Sequence, residues 1–417
     1  MSHFSPSTAP AVPLLPLPLV ARSPNLVVLT LALLLGVQPV TTDLFLPALP
    51  TITDGFDASM AQAQLTLTAL LLAFGISQLF WGPLSDRFGR RPILLVGLSI
   101  YVVAAVASAL APSMAWLIAC RAVQGAAMGA AVMCARAVVR DLFAPLEGAR
   151  YMSKGLSGLG AIACVCAPLG GLLSALYSWR VALLTLAVFG SVCLGLIVLR
   201  FKETLVRRNP DALRPGNLLR TWLGILRNPT FIAFSALSIG AYGGLFTFLA
   251  ASSFVFIQVM GLSTTQYGLV MFSISFAYIG GTFICRRLLH LYGVRRSVAI
   301  AAGFTLLGGT LMGLLALFGV HSTWALVLPF YLFMLGHGVH QACSQSGAVG
   351  PFPQSAGAAS ALNGFLMMVA AFAMGAWLGR TMDGTVYPLA YGVWFWSVWI
   401  AIAAWTLVQK YGATRHE

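Results

Sequence analysis

Charge is what this sequence has least of. Only 8% of its 417 residues are Asp, Glu, Lys or Arg, where a soluble domain carries about 25%. That deficit excludes an ordinary cytosolic enzyme, a disordered protein and a soluble nucleic-acid binder. No stretch is long and polar enough for a separate soluble domain. Cysteine is sparse and odd in number: Cys120, Cys134, Cys164, Cys166, Cys193, Cys285 and Cys343. All lie in or beside apolar runs and none recurs at metal-ligand spacing, so they read as small apolar residues of helix interfaces. An uninterrupted apolar leader is missing as well. The first 24 residues hold six prolines and no charge before Arg22. Pro10, Pro13, Pro16 and Pro18 break any signal-peptide core, and residues 1–24 are expected to be a disordered cytoplasmic tail.

Apolar residues, by contrast, make up 59% of the chain. A membrane-crossing helix needs about 20 of them in a row. Apolar runs separated by charged or turn residues predict twelve helices, at 25–53, 61–81, 92–111, 114–139, 151–176, 181–200, 230–259, 264–289, 297–319, 323–346, 356–380 and 386–408. The expected fold is an all-α membrane protein with two pseudo-symmetric six-helix bundles, residues 25–200 and 229–408, and a cytoplasmic tail at 409–417. Between the bundles, residues 201–228 hold the longest polar segment and read as a cytoplasmic linker.

The net charge of +14 is distributed as a membrane protein requires. With the N-terminus in the cytoplasm, twenty-one of the 24 basic residues fall on the inner side, and only Arg180 and Arg380 on the outer. One helix more or fewer would scramble this positive-inside pattern. The halves also repeat. Phe88-Gly89-Arg90-Arg91 follows the second predicted helix, and Tyr292-Gly293-Val294-Arg295-Arg296 follows the eighth, 204 residues later. Parallel six-helix repeats are a transporter plan.

The loop after the second predicted helix reads Gly82-Pro83-Leu84-Ser85-Asp86-Arg87-Phe88-Gly89-Arg90-Arg91. Gly82 and Gly89 permit close backbone approach. Asp86 suits the positive N-terminal end of a neighbouring helix, and the helix starting near Ser355 is the expected one, which would latch the halves together. This loop resembles the signature of the major facilitator superfamily at every fixed position. Arg121, Gln124, Gly125 and Gly129 in the fourth predicted helix resemble the family's second motif. Ala167-Pro168-Leu169-Gly170-Gly171 is similar to its antiporter motif, with Ala167 in place of the usual glycine and the glycine pair one residue nearer the proline. A bend is expected at Pro168, which removes a helical hydrogen bond. With Asp43-Leu44-Phe45-Leu46-Pro47-Ala48-Leu49-Pro50 and Gly350-Pro351-Phe352-Pro353, the chain resembles the Bcr/CflA branch of drug:proton antiporters.

Two charges are embedded in apolar helices, Asp43 and Arg121. A carboxylate in hydrocarbon costs about 2.5–3.5 kcal/mol and marks a functional site by default. At 1.5 Å per residue, Asp43 lies about 27 Å from the inner end of the first helix and Arg121 about 12 Å below the outer surface. The resemblance implies that both helices line the central cavity, so the two are expected to pair there. Pairing favours an ionised carboxylate and desolvation disfavours it, which makes this pair the expected proton-coupling site. His337 and His340, three apart on the tenth predicted helix, share a face with Gln341 nearby. They read as interhelical hydrogen-bonding groups. With Gln124, Tyr242, Phe246 and Met367 they complete the expected substrate cavity. The expected latch and gate comprise Gly82, Asp86, Arg87, Gly89, Arg90, Arg91, Pro168, Gly170 and Gly171.

The resemblance implies a monomeric, proton-driven exporter of small amphipathic drugs in the bacterial inner membrane, both termini cytoplasmic. Its partners would be the small-molecule substrate, protons and the lipid bilayer, with no nucleic acid, no metal and no cofactor beyond the proton gradient. A carrier of one specific metabolite on the same fold is the alternative. A membrane enzyme would need a nucleophile beside a base, or a metal cluster, and neither is found.

Overall fold

A computed structural model describes residues 24–143, 145–205, 208 and 214–412 of the chain. All of the expected N-terminal tail except Pro24, which opens α1, and most of the expected C-terminal tail lie outside these residues. Among the described residues every regular element is helical. The first crossing comprises α1 (Pro24–Asp43), a 3-10 turn at Leu46–Ala48 and α2 (Leu49–Gly55). Next come α3 (Met60–Phe88), α4 (Arg90–Ala109), α5 (Met114–Leu142), α6 (Pro145–Leu176) and α7 (Trp179–Arg200). A short helix, α8 (Pro215–Leu226), stands in the segment expected to be a linker. The second half holds α9 (Pro229–Ser253), α10 (Thr264–Leu317), α11 (Thr323–Val349), α12 (Ala356–Thr381), α13 (Tyr387–Ile402) and α14 (Val408–Tyr411).

Three predicted boundaries are corrected. The second predicted helix, expected at 61–81, runs on through Pro83 to Phe88, so most of the expected 82–91 loop is helical and the turn falls at Gly89. The first helix, expected to run unbroken over 25–53, stops at Asp43 and resumes at Leu49. Proline is the cause: Pro47 has no N–H for the Asp43 carbonyl and Pro50 none for Leu46. The eighth and ninth predicted helices run together as the 54-residue α10, interrupted only at Gly293 (φ 69°, ψ −177°). A left-handed φ excludes most side chains, so glycine stands there.

The internal repeat is built from local rules. Ser59 opens α3 with a capping box to Gln62, and Ser263 opens α10 with one to Gln266. Each satisfies two orphan N–H groups. Gly89 (φ 107°) ends the first such helix, as Gly293 interrupts the second. Both pairs are separated by 204 residues.

Within lipid no hydrophobic force drives helices together, so small residues that allow close approach decide the packing. A methyl group on Gly125 would lie 2.7 Å from the Leu70 carbonyl carbon, which locks α5 against α3. The halves meet along α3 and α12 and along α6 and α10. One end of the bundle carries the basic loops, and the other is the far end. At the far end the Gln64 amide donates to Ala250 O at 2.8 Å, the Gln258 amide reaches Asp54 at 3.3 Å, and Thr264 Oγ1 donates to Gly171 O at 3.2 Å. At the basic end Arg136 of α5 donates to Ser360 Oγ of α12 at 2.7 Å.

Candidate functional site: a broken helix and a basic-end network

Breaking α1 at Asp43 leaves its last carbonyls without the N–H groups of a next turn. Arg121 on α5 takes up one of them, donating to Thr41 O at 2.8 Å and to Gln124 Oε1 at 2.8 Å. Its guanidinium lies over the Phe45 ring, 4.3 Å from the centroid, and the residue is fully buried. A cation at a helix C-terminus complements the negative end of the helix dipole. Thr41 Oγ1 bonds Tyr101 Oη at 2.6 Å, which ties α1 to α4.

The ion pair expected between Asp43 and Arg121 is not made; no ion pair between described residues includes either. The guanidinium is taken up by the Thr41 carbonyl and Gln124 Oε1. Asp43 instead accepts from the Thr42 hydroxyl at 2.7 Å. It lies within electrostatic reach of Cys166 on α6 and of Tyr242 and Tyr267 in the second half. Tyr242 also faces Gln38 of α1, and Tyr267 Oη bonds Ser252 Oγ at 2.9 Å. The carboxylate therefore sits where the two halves face each other. Gly170 packs on the Leu44 backbone, one residue past Asp43, and Gly171 packs on the Thr264 backbone of α10. Pro168 does not interrupt α6; its Cα would stand 2.8 Å from a methyl group on Gly268. The antiporter-like motif is thus a contact plate between the break, α6 and the second half.

The second cluster lies at the basic end. Arg90, 1% exposed, is clamped by Asp86 at 2.6 Å and Asp141 at 2.8 Å, and also donates to Ser85 Oγ at 2.6 Å. Glu203 accepts from the backbone N–H groups of Arg90 (2.9 Å) and Arg91 (3.1 Å), capping α4 from the segment after α7. Arg91 donates to Phe201 O at 3.0 Å, and Arg87 is exposed beside Phe88. Asp86 was expected to face the helix starting near Ser355; here it pairs with Arg90 and, at 3.7 Å, with Arg140. The nearer cations win its carboxylate. Arg140 in turn reaches Gly357 at the start of α12. Gly89 has the left-handed φ that its turn requires, while a methyl group at Gly82 would meet only Met133, at an ordinary 3.6 Å.

Of the expected cavity residues, Gln124 is fully buried against Arg121. Phe246 and Met367 are buried, Phe246 beside Gly375 and Met367 beside Asn363. His337 and His340 are buried between α9, α10 and α11: His337 faces the Ala241 carbonyl and the Tyr278 ring, and His340 faces Ala301 and Thr305. Gln341 is half-buried. Sequence reasoning missed Asp141, Glu203 and the Arg136–Ser360 bond. Their signal was present but read only as charge, since counting basic residues passed over the acids among them.

The sequence from residue 31 to 376 matches the family description of the Major Facilitator Superfamily. The chain belongs to that superfamily. It is 33% identical over 350 residues to multidrug resistance protein D of Escherichia coli, covering 84% of this chain and 86% of that one. It is 27% identical over 371 residues to a bicyclomycin resistance protein homolog of Haemophilus influenzae, covering 89% and 93%. A chloramphenicol resistance protein of Pseudomonas aeruginosa is 27% identical over 332 residues, covering 77% and 75%. These relatives agree with the Bcr/CflA branch. Among solved structures, the human organic anion transporter MFSD10 superposes with a TM-score of 0.67 at 22% identity, covering 92% of this chain and 99% of that one. The E. coli xylose transporter superposes with a TM-score of 0.72 at 14% identity, covering 94% and 100%. Both share the fold.

Proposed function

We propose that this chain is a proton-driven exporter of small amphipathic drugs, working as a monomer in the bacterial inner membrane with both termini cytoplasmic. The basic end is then the cytoplasmic end. The observation that carries the reading is the placement of Asp43: a carboxylate at a helix break, between the halves, in a chain whose relatives are named for drug resistance.

In this reading a proton reaches Asp43 when the far end is open and leaves when the basic end is open. Binding and release change the charge at the point where α1 meets α6, α9 and α10. The two bundles rock about this point, as alternating access requires. The far-end bonds of Gln64, Gln258 and Thr264 must part before a drug can leave outward. No bound cofactor is needed, since the proton gradient supplies the energy. Arg121 keeps the break in α1 in place; it is a positioning residue that acts on Asp43 through the backbone.

Antibiotic susceptibility on overexpression tests the reading, with bicyclomycin and chloramphenicol in the panel and a protonophore added in parallel. Raised resistance that the protonophore abolishes is the expected result. Unchanged resistance to every compound at verified expression would overturn it.

A further inference from the structure

One face of α10 at the basic end has no role in the scheme above. Phe283, Arg286, Arg287, His290 and Leu291 line an open cavity of about 650 Å³ there. Leu269, Phe276 and Phe283 follow one another at seven-residue intervals and are 58%, 58% and 62% exposed. Seven residues is close to two helical turns, so they form a single stripe, and His290 continues it. At Gly268 and Thr264 the other side of this helix is packed against Pro168 and Gly171. The exposed stripe is therefore the lipid face.

Depth sorts the residues along that stripe. From Thr264 to Arg286 is 22 residues, about 33 Å at 1.5 Å per residue, against a hydrocarbon core of about 30 Å. Phe283 stands at the edge of the acyl region and Arg286 and Arg287 at the level of the phosphates. The Arg286 guanidinium lies over the Phe283 ring at 4.5 Å. No carboxylate among the described residues pairs with Arg286, Arg287 or His290. The internal repeat sharpens the point. His290 and Val294 occupy the positions of Asp86 and Arg90, 204 residues earlier. The Asp86–Arg90 pair has no counterpart in the second repeat, while Arg286 and Arg287 stand where the first has Gly82 and Pro83. Two arginines and a histidine thus face lipid with no counter-charge among the described residues.

We propose that this face binds the phosphate of an anionic phospholipid, with Arg286 and Arg287 on the headgroup and the acyl chain along Phe283 and Phe276. The lipid supplies a counter-charge that no described carboxylate gives Arg286 and Arg287. The site does not depend on which solute is carried.

The test uses a fluorescent-tailed phosphatidylglycerol binding to the full chain in a neutral detergent. Competitors are unlabelled phosphatidylglycerol, phosphatidylcholine and inorganic phosphate. Each arginine near an anionic surface contributes about 5-fold in affinity, so Arg286→Gln with Arg287→Gln is expected to weaken binding about 25-fold. Arg286→Lys with Arg287→Lys is expected to stay within a few-fold of the natural chain. Only phosphatidylglycerol should displace the probe efficiently. Equal binding by the glutamine variant would overturn the proposal. So would equal displacement by phosphatidylcholine, or displacement by inorganic phosphate alone, which would mark a free-anion site. If the glutamine variant does not fold, the competition with the natural chain still decides.

Discussion

Arg121 donates to the carbonyl of Thr41, two residues before the acid it was expected to pair with. The guanidinium thus caps a helix end that exists only because Pro47 and Pro50 stop α1 at Asp43. The charged group on α5 holds the break in place, and the break presents Asp43 to the other half of the molecule.

Arg121→Lys tests that role. An ammonium keeps the charge but lacks the planar fork that reaches both Thr41 O and Gln124 Oε1. Loss of one charge-assisted bond is expected to destabilise the first half by about 1.5–3 kcal/mol. Thermal unfolding in detergent measures it. A variant as stable as the natural chain would show that the cap contributes nothing.

At the basic end the two acids that clamp Arg90 differ in exposure. Asp86 is 40% exposed and Asp141 12%. Water screens the first pair more than the second. Asp141→Asn is therefore expected to lower the unfolding temperature more than Asp86→Asn does. Asp86→Asn should instead slow transport while leaving equilibrium drug binding intact, because Asp86 is remote from the break. The reverse order of stabilities would contradict the assignment.

The two glycines of the α6 motif are expected to fail differently. A methyl group on Gly170 runs into the Leu44 backbone inside the first half, and one on Gly171 into the Thr264 backbone of the second. Gly170→Ala should displace the break and impair proton coupling. Gly171→Ala should loosen the far-end contact and raise accessibility there. Cysteine labelling at far-end positions, run beside transport assays, separates the two. Equal labelling in both variants would contradict this division.

Much of this was legible in the sequence. The succession of long apolar helices follows from apolar run length, and the internal repeat from the matching loop motifs. The repeat proved deeper than the loop motif that announced it, since the capping serines Ser59 and Ser263 share its offset. What stayed hidden was direction. Asp43 and Arg121 are legible as charges within apolar runs, but a sequence gives depth along a helix better than the side a residue faces. Where Pro47 and Pro50 end α1 decided that side, and Arg121 then bonds the Thr41 carbonyl rather than the acid. Glu203 was illegible for a similar reason: it caps α4 from more than a hundred residues away.

The proton count gives a further expectation. Among the described residues of the second half, the spans 228–285 and 297–379 hold no Asp, Glu, Lys or Arg. One proton per cycle, carried by Asp43, is expected. Exchange for a neutral drug then moves one net charge, about 2.3 kcal/mol per 100 mV, and exchange for a monovalent cation moves none. Neutral and zwitterionic compounds should be exported better than dications. Flux at imposed membrane potentials checks this, and potential-independent export of a neutral drug would rule out the one-proton scheme.

The central claim is that Asp43 carries the coupled proton. It is tested most directly by proton movement driven by a drug gradient in proteoliposomes, natural chain against Asp43→Asn, with a pH dye inside. The natural chain should move protons against the drug flow and the variant should move none, while both unfold at similar temperatures and insert equally. Drug-driven proton movement that persists in Asp43→Asn would place the coupling elsewhere and contradict the account.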